Sequence, residues 1–456
     1  MFAKLRLRLK HSFDRIRNER FRLNLLQAIP FWTASIITGL VAVLFTRLFG
    51  FAEKFTAYIF NFHPGLLFII TPLCFVISWW VVITFAPNAK GSGIPQTMAA
   101  IELANPGNND KIDKLLSVRI MITKIISSLV LAAGGGAIGR EGPTIQIAGS
   151  IFRKINQLLP AWWPKISKRN MIMTGAAAGL AAAFNTPLGG IVFAVEELTK
   201  THISYFKTAL FSAVLIAGLT AQAFLGPYLY LGYPEVSHLS AWIFIAVIIV
   251  GLVTGLLGSM MSKIILIVFR WRSKFKNKSQ YLIYAIASAL LIASFAYFVN
   301  PNILNSGKAI MTTVLFTGDK VLPWYTPVLR IGGSILSFTV GGAGGIFAPA
   351  LSAGASVGSV MSGWLHLLPE DTNLIVLCGM VGFLTGVTRT PFTSAILVLE
   401  MTDRHNVIFH LMLAAMISSI VAIMIDKHSL YDHLKLQYLR DATSASEKNQ
   451  TEKHNI

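Results

Sequence analysis

The stretch AIGREGPTIQIAG, residues 137–149, decides how this chain is read. An Arg-Glu pair stands between glycines, a proline follows, and the flanks are oily: IMITKIISSLVLAAGGG before it, small and apolar residues after it. A charge in such a setting has a partner, lines water or does a job. The glycines leave the backbone bare, and the proline suits the first turn of a helix, where its missing N–H costs nothing. GREGP therefore reads as a helix start set inside apolar sequence.

The rest of the 456 residues says what that apolar setting is. Hydrophobic residues make up 54% and charged ones only 13%. A soluble protein of this size cannot hide so much apolar surface, so the expected solvent is lipid. Runs at 65–86, 206–225, 241–269, 281–299 and 409–425 fit membrane spans. The formal net charge is +19, but the basic residues sit in short segments between oily ones, at 4–22, 152–169 and 270–278. That pattern argues against nucleic acid as a partner. It fits the positive-inside rule, with both termini in the cytoplasm. No signal peptide is visible, and residues 4–22 suit an amphipathic helix on the inner leaflet or a basic tail. Cys74 and Cys378 lie in apolar stretches and read as inert buried thiols. The histidines show no ligand spacing, so neither a metal nor another cofactor is expected.

The chain is internally duplicated. GAAAGLAAAFNTPLGGIVFAVEE from Gly175 matches GMVGFLTGVTRTPFTSAILVLEM from Gly379 at an offset of 204, pairing Thr186 with Thr390, Pro187 with Pro391 and Glu196 with Glu400. A second pair, GREGPTIQIAGS at 139–150 and GGIFAPALSAGAS at 344–356, stands earlier in each half, in the same order, with Pro143 and Pro349 offset by 206. The organisation read from this is a basic N-terminal helix at 1–30, a first membrane repeat at 31–225, a linker at 226–240, a second repeat at 241–440 and a polar tail, expected to be disordered, at 441–456. Such duplication is common in transporters, whose repeats are often inverted.

Three segments share the broken-helix design: GSGIP (91–95), GREGP (139–143) and GGIFAP (344–349). Each would present unpaired N–H groups and the positive end of a helix dipole. One alone is most simply a kink for packing. Three together, two of them at repeat positions, point to an anion site. Of the twenty acidic residues, only Glu141, Glu196, Glu197 and Glu400 lie in or against long apolar stretches. Intramembrane carboxylates are functional candidates by default, and one caught between burial and a helix start is suited to exchanging a proton. Structural readings stand beside this: Glu141 as the partner of Arg140, and Glu196 and Glu400 as equivalent structural groups. Glu197 has no acidic twin, since Met401 holds the matching place. GASVG (354–358) imitates a nucleophile elbow around Ser356, but it lacks the required strand. GLVTG (251–255) reads as helix packing.

Taken together, GSGIP, GREGP, GGIFAP and FNTPLGGIVFAVEE resemble the CLC chloride channel and transporter family, bacterial type, over roughly residues 30–435. The resemblance implies an all-α polytopic membrane protein of CLC-type fold, with inverted repeats and many tilted, partly re-entrant helices. It further implies a homodimer with one pore per subunit, in a bacterial inner membrane. It makes Ser92, the backbone N–H groups of Ile346 and Phe347, Gly142 and Tyr431 the chloride-binding residues. Glu141 becomes the external gating glutamate and Glu197 the internal proton glutamate. Because channels often lack the second acid, the expectation is a chloride/proton antiporter, two chlorides per proton, and not an enzyme. A passive voltage- or pH-gated chloride channel of the same fold is the alternative. Ser92 matches the chloride-selective pattern, and Gln96 stands where many relatives carry Glu.

Overall fold

The computed structural model describes residues 13–14, 17–105, 108–199, 207–226, 230–236 and 242–454. Most of the N-terminal segment expected at 4–22 and parts of the linker, 227–229 and 237–240, lie outside the described residues. The described secondary structure is helical, with only two isolated bridges.

In chain order the first half contains α1 (Glu19–Phe62), α2 (Leu67–Phe85), α3 (Ile94–Glu102), α4 (Asn109–Asp113), α5 (Val118–Ala133), α6 (Glu141–Leu158), α7 (Lys168–Phe184), α8 (Pro187–Phe193) and α9 (Lys207–Leu225). A π-helical turn, Ala194–Thr199, continues α8. The second half contains α10 (Ile243–Arg272), α11 (Lys278–Phe298), α12 (Lys308–Phe316), α13 (Thr326–Thr339), α14 (Phe347–Trp364), α15 (Pro369–Thr388), α16 (Pro391–Thr402), α17 (Ile408–Ile425) and α18 (Leu430–His454). Among the described residues eight helical spans are long and apolar enough to cross a membrane. Beyond the five runs legible in the sequence these include Glu19–Phe62, Asn109–Ala133 and Pro369–Thr388. The 44-residue α1 passes without a break through residue 30, where a boundary was expected, despite Pro30 within it. The tail expected to be disordered is instead helical as far as His454. Its Ala, Glu, Lys and Gln are good helix formers.

Large apolar side chains cover the outside: Phe51, Ile69, Phe298, Phe409 and Met424 are all exposed. In water such a surface would drive aggregation, whereas in a bilayer it meets lipid. The chain is a multi-pass membrane protein.

The two halves repeat the same packing. In the first, a Cβ on Gly179 would lie 2.6 Å from Ala148 Cβ and one on Gly175 would lie 2.8 Å from the Phe152 ring, so α6 and α7 nearly touch. In the second, a Cβ on Gly358 would stand 2.8 Å from Val376 Cα, which brings α14 equally close to α15. Small residues permit this contact, which in lipid depends on van der Waals packing. Both α7 and α15 then end on a left-handed non-glycine residue, Asn185 (φ 58°) and Arg389 (φ 63°). Each is followed by Thr-Pro, which opens the next short helix. The glycines of GLVTG do serve packing: a Cβ on Gly255 would lie 2.7 Å from Ser418 Cα in α17.

Candidate functional site

Backbone hydrogen bonds between the loops ahead of α3, α6 and α14 bring those three helix starts to one place. The Gly91 N–H donates to Gly342 O at 2.8 Å, and the Gly344 N–H donates to Gly91 O at 3.1 Å. Gly139 and Gly345 donate to each other, at 2.8 and 2.6 Å. The loop before α14 is thereby stitched to both others.

Close approach is what the glycines provide. A Cβ on Gly142 would collide with the Ser92 hydroxyl, and one on Gly345 would stand 3.0 Å from Gly139 O and 3.1 Å from Gly142 N. Gly93, at φ 104°, holds a conformation that L side chains rarely adopt.

Ser92, Gly142, Ile346, Phe347 and Tyr431 are all buried and all meet here. Tyr431, near the start of α18, stacks on the Phe347 ring at 6.2 Å with an 11° interplanar angle. The hydroxyls of Ser92 and Tyr431 approach each other, yet neither makes a hydrogen bond of ordinary geometry. Among the described residues, no backbone carbonyl accepts the N–H of Ile346 or Phe347. Buried polar groups are normally satisfied, so two hydroxyls and two N–H groups left over around one point mark a place for an acceptor.

Glu141, the first residue of α6, is buried beside this point. Its carboxyl turns back toward the backbone N–H groups of Glu141 itself and Ala348. The other carboxyl oxygen, Oε2, is buried without a hydrogen-bond partner. Arg140 bears on Glu141 electrostatically, while its guanidinium reaches Thr46 O at 3.4 Å and lies 5.9 Å from the Tyr230 ring centre.

Glu196 and Glu197 sit on the π-turn, a feature common at functional sites. The turn sends the two neighbours different ways. Glu196 reaches across to the start of α16, accepting from Phe392 N (3.2 Å), Thr393 N (2.7 Å) and Thr393 Oγ1 (2.6 Å). Glu400 reciprocates at the start of α8, accepting from Leu188 N (3.0 Å) and Gly189 N (2.8 Å). Each repeat caps the other, as a two-fold relation requires. Glu197 instead turns inward, 5% exposed, and the Tyr431 hydroxyl feels both its charge and that of Glu141.

These features match a known set of proteins. The sequence profile described as "Voltage gated chloride channel" matches residues 74–423. The chain belongs to that family. One relative, the H+/Cl− exchange transporter ClcA of Salmonella typhimurium, is 28% identical over 469 residues, covering 96% of this chain and 94% of that protein. The ClcA of Salmonella gallinarum is 27% identical over 465 residues, covering 95% and 94%. The fold is similar to that of a slow cyanobacterial Cl−/H+ antiporter, with a TM-score of 0.79 at 23% identity over 91% of this chain and 98% of the other. A CLC-type fluoride/proton antiporter gives 0.75 at 21% identity over 92% and 99%.

Within this voltage gated chloride channel family member, one notable residue escaped the sequence reading. Lys124 of α5 is fully buried, and its Nζ donates to Gly91 O at 2.8 Å. It is the cation in IMITKIISS, a signal that was available in the sequence. Gln96 ties α3 to α18 by donating to Lys90 O (2.7 Å) and Tyr438 OH (3.0 Å). A cavity of about 540 Å³ leads to Ser92 past Lys90, Gln96, Arg272 and Tyr438. Ser356, the false elbow, lies inside α14 and donates to Ala353 O at 2.7 Å. Among the described residues no cluster suits a metal ion.

Proposed function

We propose that this protein exchanges chloride for protons across a bacterial inner membrane, about two chlorides per proton. In this reading it works as a homodimer with cytoplasmic termini and a pore in each subunit, each built from the repeats 31–225 and 241–440. The observation that carries the proposal is the set of unsatisfied donors around one buried point, with Glu141 beside it. The Ser92 and Tyr431 hydroxyls and the N–H groups of Ile346 and Phe347 would hold a chloride, with Gly142 giving it room. Three helix starts stabilise the anion without gripping it as a salt bridge would.

Glu141 is the gate in this mechanism. Ionised, its carboxylate occupies the helix start as an anion would, and it excludes chloride. Protonated, it loses its attraction for the N–H groups and swings out, admitting chloride and carrying a proton. Glu197, whose charge also reaches the Tyr431 hydroxyl, receives protons from the opposite solution. Chloride and proton share one gate, so they move in opposite directions together. The names of the ClcA relatives, exchangers of H+ and Cl−, support the same reading.

Reconstituted liposomes test it. An outward chloride gradient should drive protons against their own gradient. Chloride flow with no proton movement would establish instead the passive channel.

A further inference from the structure

We infer that an anionic phospholipid binds in the groove between α10 and α18. The groove holds about 470 Å³ and is lined by Lys263, Ile267, Arg270, His433, Leu436 and Arg440 among others. The argument starts from Lys263. It is exposed on α10, and it shares that outer face with Met260, Ile264 and Ile267, which are themselves exposed. Arg270 lies seven residues on, two helical turns or about 10 Å along the axis, on the same face. Lys263 is therefore a cation set among lipid-facing side chains, well inside the end of a spanning helix. Such a lysine extends its stem toward the interface and seeks an anion there.

Among the described residues no acid is paired with Lys263, Arg270 or Arg440. Asp426, the acid in the groove, is bound to His433 at 3.0 Å. Three cations thus face one acid that already has a partner, and apolar side chains continue the groove toward the hydrocarbon. A phosphodiester with acyl chains satisfies both parts, whereas a free phosphate satisfies only the first. Basic pockets between helices at a membrane edge are known to suit such headgroups.

The packing of α18 explains why the groove is open. Its other side is fastened to α3: Lys435 pairs with Glu102 at 2.6 Å, and Tyr438 accepts from Gln96 at 3.0 Å. On the side that faces α10 the groove remains, and the lipid fills it. Because α18 carries Tyr431, the lipid braces the helix that bears part of the candidate anion site.

The test is thermal unfolding of the full chain in detergent, titrated with dioleoyl phosphatidylglycerol, dioleoyl phosphatidylcholine or glycerol phosphate. Phosphatidylglycerol should raise the Tm in a saturable way, and the other two should not. Replacing two cations with K263Q/R440Q should weaken its apparent affinity about 30-fold, while K263R/R440K should keep it. R440Q alone, at the exposed edge, gives the same readout with a smaller loss if the double variant does not fold. An equal response to phosphatidylcholine or to glycerol phosphate, or unchanged affinity in the Gln variants, overturns the assignment.

Discussion

Gly139→Ala tests the gate without touching the glutamate. A Cβ on Gly139 would overlap Glu141 Oε2 and would stand 3.2 Å from Ala348 Cβ and 3.3 Å from Ala348 N. Gly139 is not among the residues of positive φ, so alanine adds no backbone strain there. The movable partner in the collision is the end of a side chain, so the protein should fold and the carboxylate should give way. Leaving its resting place loses at least one hydrogen bond to a charged group, worth about 1.5–3 kcal/mol. At about 1.4 kcal/mol per tenfold, occupancy of the closed position falls roughly 10- to 150-fold. Chloride efflux from liposomes should then speed up, and the number of protons moved per chloride should fall toward zero. E141Q should behave similarly, and G139A/E141Q should add nothing further, because both changes act through one group. Wild-type proton coupling in G139A would refute the idea that Glu141 closes the path from this position.

Glu197→Gln should stop proton transport while chloride still passes, read as chloride flux that no longer alkalinises or acidifies the lumen. Glu196→Gln should lower stability by about 1–3 kcal/mol and leave coupling intact, because the carboxylate caps α16 at 2.7 Å from Thr393 N; a coupling defect without a stability defect would contradict the capping role. Asp426, outside the spanning helices, gives a pH prediction. Burial opposes its charge, but the His428 N–H, His433 and Arg389 outweigh burial and hold the carboxyl below its ordinary value. A lowered folded pKa contributes stability above the unfolded carboxylate range, and that contribution is lost as pH falls through the folded value. D426N should therefore unfold at a lower temperature than wild type at pH 7, with the gap closing in acid. A gap that widens on acidification would reverse the sign and defeat the argument.

The features legible in the sequence were those carried by local chemistry. A glycine pair with a proline names a helix start wherever it lies, so GSGIP, GREGP and GGIFAP could be read directly. The repeat offset likewise singled out Glu197 as the acid without a twin. What stayed hidden depends on distant partners. Glu196 and Glu400 looked like intramembrane acids, and only contacts about two hundred residues away make them caps. The π-turn that separates Glu196 from Glu197 has no sequence mark. The span Pro369–Thr388 opens with PED and carries glycines, so its hydropathy looked ordinary although Asp371 through Thr388 are all buried. Lys124 was visible as a charge but not as a neighbour of Gly91, since the two lie thirty-three positions apart in the chain.

Lys124 also bears on how the proposed site would attract an anion without trapping it. A cation in direct contact, about 4 Å away at an effective dielectric near 20, would hold chloride by about 4 kcal/mol. That attraction would slow each release. Here the amino group of Lys124 is engaged by Gly91 O, one residue from Ser92, and does not enter the site. The same carbonyl accepts the Gly344 N–H, so a single oxygen anchors both the lysine and the loop that leads to Ile346 and Phe347. The groups left to meet the ion are neutral hydroxyls and N–H groups. They are held in place by loop-to-loop bonds that need not break as the ion passes. The fixed dipoles make the point attractive to any anion of the right size, chloride or carboxylate. In the proposed mechanism a single glutamate at the mouth of α6 would then be enough to compete for it, and protonation would be enough to end the competition.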